Sequence, residues 1–268
     1  MTNTFFEVKS AIQTLSLNNK VLFVHASIRS LGKLDGGAIA LVNTFLDAGC
    51  TVIVPAFNYD TLCLPPKGVD YQQNGHRGQW HFEHTEPFDV SSNHIEPSMG
   101  AFAAAVVNHP KRLRTDHPIN SFAGVGPKAG AILAQQTDAD VYGHYQGSEV
   151  KDAIVLSIGV TPKSLTPIHC AEQQAGRRLF RRWALTASRG EVEVCIGSCS
   201  NGFNQLQDAL QPAATKIKVG LSDWTSYSLE SLLENCTRAI IENPSITQCD
   251  IDCPRCQDMV SGGLIINN

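Results

Sequence analysis

No apolar run in this 268-residue chain approaches the roughly 18 residues of a membrane span. The opening MTNTFFEVKSAIQTL lacks a basic segment, an apolar core and a small-residue cleavage site, so it does not read as a secretory signal. A soluble, cytoplasmic protein without a membrane partner is expected. Charge is sparse as well: 17% of residues are charged and the formal net charge is −4, which leaves no broad electrostatic footprint for nucleic acid. Neither the strict GxGxxG nor GxxxxGK[ST] string occurs, so the loop HASIRSLGKLDGG carries no phosphate-binding fingerprint. There is no internal repeat and no low-complexity segment. The nine cysteines are an odd number, scattered along a chain without a signal, and read as thiols or a metal site rather than a disulfide framework.

What is present is a 43% hydrophobic chain long enough for one large core. VLFVH (residues 21–25) is a short apolar run, followed by the polar loop ASIRSLGKLD, an apolar helical pattern ending at Gly49, and TVIVP. This is a strand–loop–helix–strand unit, and its loop lies past the carboxyl end of the first strand, where open α/β sheets bind ligands. From residue 58 to 96 regularity fades into Gly, Pro, His and acidic residues, a length that suggests a substrate-facing excursion. Helical patterns return at PSMGAFAAAVVN and PKAGAILAQQ, with the loop RLRTDHPINSF between them. AIVLSIGV predicts a buried strand, RLFRRWALT and EVEVCIG an antiparallel hairpin, and SLESLLENCTRAIIEN a helix capped by Ser228.

Several stretches carry residues suited to chemistry. In TPIHCAEQQAGRRLFRRW, Thr166 can cap a helix and Pro167 suits its first position, which places His169 in the first turn. There the helix dipole favours a neutral imidazole, and Glu172, three residues on, can orient the ring. His169 is thus either a proton acceptor or a packed imidazole. Ser27, Arg29 and Ser30 in HASIRSLGKLDGG suit a phosphate ester at a helix N-terminus, or an ordinary capped loop. In RTDHPINSF, Arg114, Thr115, His117 and Ser121 either line a channel or hold a turn. Arg178 and Arg181 read as a solvated or ion-paired strand. Cys249, Cys253 and Cys256 have the spacing of a thiolate metal site such as structural zinc, one ligand short. Cys236 or a distant histidine would have to complete it, and free thiols are the competing reading.

Taken in order, HASIRSLGKLDGGA, PFDVSS with EPSMG, RTDHPINSFAGVGPKA, IVLSIGV and TPIHCAEQQAGRRLFRRW resemble the aminoglycoside 3-N-acetyltransferase family, over nearly the full chain. The resemblance implies a single α/β domain with a central mixed sheet flanked by helices; the cysteine-containing tail, residues 245–268, is not a general mark of the family. It implies acetyl-CoA as cosubstrate and direct transfer to an amino-sugar amine, a role in antibiotic resistance being one setting. It carries the family's T-x-x-H-x-A-E histidine and glutamate onto His169 and Glu172. It places the coenzyme along Ser27, Ile28, Arg29 and Ser30, with Thr115, His117 and Ser121 on the same channel.

A cationic amino-sugar also calls for carboxylates, and Asp60, Asp70, Glu83, Glu86 and Glu149 are available, with Asp60 and Glu149 as the candidates for substrate binding. Many relatives carry an acidic residue and an arginine in the helix after the Met-Gly pair, whereas AFAAAVVNHP has neither. That difference favours an amino-sugar of surface polysaccharide or secondary metabolism as the alternative acceptor. A coenzyme-binding protein of the same fold without turnover is the rival from another class.

Overall fold

The computed structural model describes residues 4–69, 74–77 and 80–260, with only the backbone at positions 4 and 5. Its strands are β1 (Val21–Ala26), β2 (Thr51–Pro55), β3 (Leu62–Cys63), β4 (Leu113–Arg114), β5 (Phe122–Val125), β6 (Ile154–Ile158), β7 (Phe180–Thr186), β8 (Gly190–Ile196), β9 (Ala214–Val219) and β10 (Ser222–Ser228). Its α-helices are α1 (Thr4–Thr14), α2 (Gly37–Asp47), α3 (Gly100–Val107), α4 (Ala129–Leu133), α5 (Pro167–Gln174), α6 (Gln207–Leu210), α7 (Leu229–Glu242) and α8 (Pro254–Val260).

Seven strands form a mixed sheet in the order β4-β5-β2-β1-β6-β10-β9. The centre is parallel, β1 between β2 and β6, and the flanking pairs are antiparallel. The central strands are apolar at nearly every position because helices cover both faces. Alternation sorts them: Phe23, Ile53 and Val155 join a core with α5 and α7, while Leu22, Val24, Val52 and Leu156 join a core with α1, α2 and α3. The result is a single α/β domain with a mixed central sheet between helical layers, as the sequence predicts.

β3, β7 and β8 form a second, three-stranded sheet, with the predicted β7–β8 hairpin turning just before Gly190. The irregular stretch 58–96 is tied to this sheet at Leu62↔Ala184 and at the Phe88–Thr186 bridge. The β9–β10 hairpin, absent from the sequence reading, forms the other end of the main sheet. β9 is half exposed and lysine-bearing, as suits an edge strand, and so carries no apolar run. Among the described residues, no helix is long and apolar enough to cross a membrane.

Candidate active site

A cleft of about 810 Å³ opens at the carboxyl ends of β1, β2 and β6. Val24, His25 and Ala26 of β1 and Pro55 of β2 reach it, and Met99, Phe102 and Ala103 at the start of α3 give it an apolar wall. His169 lies in its lining, 8% exposed. Thr166, predicted as the cap of α5, has helical dihedrals and makes no side-chain cap bond, because the extended residue between the 3-10 turn 162–164 and the helix is Leu165, which leaves Thr166 already inside the first turn. Ser228, by contrast, caps α7 as predicted, accepting from Ser231 N.

His169 and Glu172 meet as expected from their spacing on one helix face. His169 Nδ1 is 2.9 Å from Glu172 Oε2. Glu172 is 1% exposed and its carboxylate is saturated with donors: Ser198 Oγ at 2.7 Å on Oε2, Arg177 Nη1 at 2.6 Å and Thr247 Oγ1 at 3.3 Å on Oε1. The Glu172 oxygens already accept from Ser198, Arg177 and Thr247, so Nδ1–H is the donor to Oε2, and in the neutral ring the lone pair is then on Nε2. Nε2 has no protein partner among the described residues. Tyr142 stacks along the ring and Phe203 meets it edge-on at 4.7 Å. Gly197 closes the site from β8: a Cβ there would lie 2.7 Å from His169 Cγ and 2.3 Å from the Tyr142 hydroxyl, so the approach requires glycine.

Arg177 is held twice. Its backbone N–H bonds Glu172 O while Gly176, at φ 89°, bonds Gln173 O, which closes α5 in a Schellman turn. The guanidinium then folds back on Glu172 and reaches Thr247 Oγ1 at 2.6 Å and Pro244 O, joining the dyad to the tail. Ser198, Arg177 and Thr247 are site residues that the sequence reading missed. Arg177 stood in a quoted arginine run, whereas nothing local marks Ser198 or Thr247, which arrive from 26 and 75 positions away.

The other expectations fare differently. The loop 27–30 follows the carboxyl end of β1, but Ser30 Oγ is spent on Ser27 O and Ser222 Oγ at 2.6 Å, and Arg29 is exposed. None of Ser27, Ile28, Arg29 or Ser30 is in the described lining. Thr115, His117 and Ser121 hold turns rather than face the cleft. Thr115 Oγ1 accepts from Phe122 N, and Ser121 Oγ donates to Ala56 O at 2.6 Å. His117 Nδ1 accepts from Asn120 N, and Nε2–H donates to Cys195 O. Burial lowers the His117 pKa to about 4, so it is a neutral strut. Arg114 serves the same turn, bonding Ser121, Ser92 O and Ala56 O.

The carboxylates also stand apart from the lining. Asp60 pairs with His94 at 2.9 Å, Glu149 with Lys128 at 3.5 Å, and Glu83 and Glu86 are exposed. Asp70 lies outside the described residues. The described lining holds no carboxylate, whereas Lys163, Arg182 and Arg255 belong to it. His25, in the floor, is buried with Nε2 unpartnered among the described residues, and burial lowers its pKa to about 4. Arg181 pairs with Glu193, as an ion-paired strand would.

In the tail, Cys249, Cys253 and Cys256 converge, but their fourth neighbour is Cys199, not Cys236 or a histidine. Cys236 is fully buried in α7, in the core shared with α5, where burial raises its thiol pKa to about 12. Cys199 was overlooked because it lies 50 positions from Cys249 and outside the CPRC knuckle.

Comparison with known proteins agrees with this architecture. The family model for aminoglycoside 3-N-acetyltransferase matches residues 23–240. The chain belongs to this family of acyltransferases. Aminoglycoside N(3)-acetyltransferase IV of Salmonella is 28% identical over 163 residues, 58% of this chain, and the match spans about half (52%) of that relative's length. Among solved structures, the apoenzyme of aminoglycoside acetyltransferase AAC(3)-IVa superposes with a TM-score of 0.73 at 20% identity, over 95% of this chain and 96% of that one. AAC-IIIb bound to CoASH gives 0.69 at 20% identity, over 88% and 95%.

Proposed function

We propose that this protein is an acetyl-CoA-dependent N-acetyltransferase in which His169 is the general base and Glu172 its orienting partner. The observation that carries this is the dyad at the cleft: an Nδ1-protonated imidazole held by a saturated carboxylate, with Nε2 unpartnered. An ammonium cannot attack a thioester. Nε2 removes a proton from the bound amine, whose nitrogen then forms a C–N bond to the acetyl carbonyl carbon. The C–S bond breaks, the departing thiolate takes up the proton from the His169 imidazolium and leaves as the thiol, and the proton left over from the ammonium passes to solvent.

Direct transfer is favoured over an acyl-enzyme because no lining hydroxyl or thiol is hydrogen-bonded to His169, as an activated nucleophile would be, among the described residues. Cys170, next in sequence, is buried, with its pKa pushed up to about 12. The CoASH complex of a structural neighbour supports the donor, and the loop 27–30 at the end of β1 is its proposed clamp.

For the acceptor, the absence of carboxylates and the presence of Lys163, Arg182 and Arg255 in the described lining favour an amino-sugar that carries an anionic group over a polycationic aminoglycoside. Purified protein mixed with acetyl-CoA and a panel of amines, some polycationic and some bearing carboxylate or phosphate, is assayed for free thiol. Turnover is expected with the native chain, highest on the anionic amino-sugars, and lost in His169→Ala. Equal inactivity of both proteins on every amine overturns the enzymatic reading. A preference for the polycations overturns the acceptor class.

A further inference from the structure

One wall of the cleft is built from three segments far apart in sequence: Gly75, His76 and Trp80 of the excursion, Gly197, Ser198 and Ser200 after β8, and Cys253, Pro254 and Arg255 at the start of α8. Between the last two lie four thiols. The Sγ atoms of Cys199, Cys249, Cys253 and Cys256 all fall within 4.8 Å of one another, with Cys199 to Cys249 at 3.7 Å and Cys249 to Cys256 at 3.4 Å. A tetrahedral ion with metal–sulfur bonds of about 2.3 Å requires sulfur–sulfur edges of about 3.8 Å. The four sulfurs therefore surround a point that one such ion would fill with small shifts.

The surroundings suit thiolates. Cys249 N–H is directed at Cys256 Sγ at 3.4 Å, and Arg255, within the knuckle itself, brings a cation. Cys199 and Cys256 are buried and the other two half-buried, so a closed four-sulfur shell would leave no open coordination position for catalysis.

We propose that Cys199, Cys249, Cys253 and Cys256 bind one structural zinc ion that fastens the tail to the loop 197–200. On binding, the thiols release their protons and the thiolates form four Zn–S bonds, with no change of oxidation state. The ion sits one residue from Ser198, whose hydroxyl donates to Glu172 and whose carbonyl accepts from Arg255 at 2.6 Å. Zinc thereby holds the wall that carries Ser198, the hydroxyl partner of Glu172 in the proposed active site.

The full chain, expressed in zinc-containing medium and dialysed against metal-free buffer, is analysed by elemental mass spectrometry. About one equivalent of zinc is expected, falling below about a tenth in Cys199→Ser and unchanged in Cys236→Ser. Four equivalents of a mercurial reagent should release the zinc from the native chain, a reading that needs no variant to fold. The metal-stripped chain should exchange amide hydrogens faster at 197–200 and 249–256 than the loaded one. Less than a tenth of an equivalent in the native chain, full retention in Cys199→Ser, iron in place of zinc, or two disulfides by non-reducing mass analysis would each overturn the proposal. None of these readouts depends on turnover, so a failed acetylation assay leaves the metal result standing.

Discussion

The floor and the far wall of the cleft are held by different physics. The floor is the end of three parallel strands whose backbone bonds and apolar cores would exist without any ligand chemistry. The wall of excursion, β8 loop and tail is held by a few polar pins. Arg77 makes a two-pronged pair with Asp258 at 2.9 and 2.6 Å, Gly75 N–H bonds the same carboxylate, Arg255 reaches Ser198 O, and Arg177 reaches Thr247. The Arg77 and Gly75 bonds lower the pKa of Asp258. Apolar burial is spread over many residues and tolerates single losses, whereas each pin is one side chain. The scaffold is therefore robust and the wall adjustable, which is how one fold can serve different acceptors.

Substitutions can separate the two. The largest effect is expected at the junction: His169→Ala should lower kcat about 10²- to 10⁴-fold with an unchanged circular dichroism spectrum. Next, Arg177→Ala leaves Glu172 buried without its cation and should cost about 3–5 kcal/mol in denaturant unfolding, breaking the comparison if the wall proves dispensable to stability.

The floor and its supporting turn should fail by acid instead. His25 and His117 have folded pKa values of about 4 and His144 about 3, all lowered by burial from an ordinary value of 6.5. The unfolded chain takes up protons first, so their stabilisation is complete above pH 6.5 and is lost as pH falls from 6.5 toward 4 for His25 and His117 and toward 3 for His144. Together this is on the order of several kcal/mol, visible as a falling melting temperature across that window. Gly197→Ala should displace the His169 ring and lower kcat about tenfold while costing roughly 1–3 kcal/mol of stability. Asp60→Ala and Glu149→Ala should change stability by less than about 0.5 kcal/mol and leave acceptor KM unaltered, since both carboxylates face exposed partners outside the lining.

The same division explains what could be read from the sequence. VLFVH, TVIVP and AIVLSIGV announce buried strands because both faces need apolar residues, and the helical spacing of His169 and Glu172 places them on one face. The wall has no periodicity to read. Ser198, Thr247 and Cys199 have ordinary local contexts and gain meaning only through contacts 26 to 75 positions long. RTDHPINSF left two readings open, a channel or a turn: its hydroxyls and imidazole are spent inside the turn and on the neighbouring Ala56 and Cys195 carbonyls, and a short linear string does not distinguish a binding channel from a brace.

The bond from Gly75 to Asp258 spans 183 positions. During translation at about 5–20 residues per second, the excursion emerges roughly ten seconds or more before its partner does. Through that interval the strands of the floor can pair while the flank of the cleft that carries Trp80 still waits for the carboxylate that pins it.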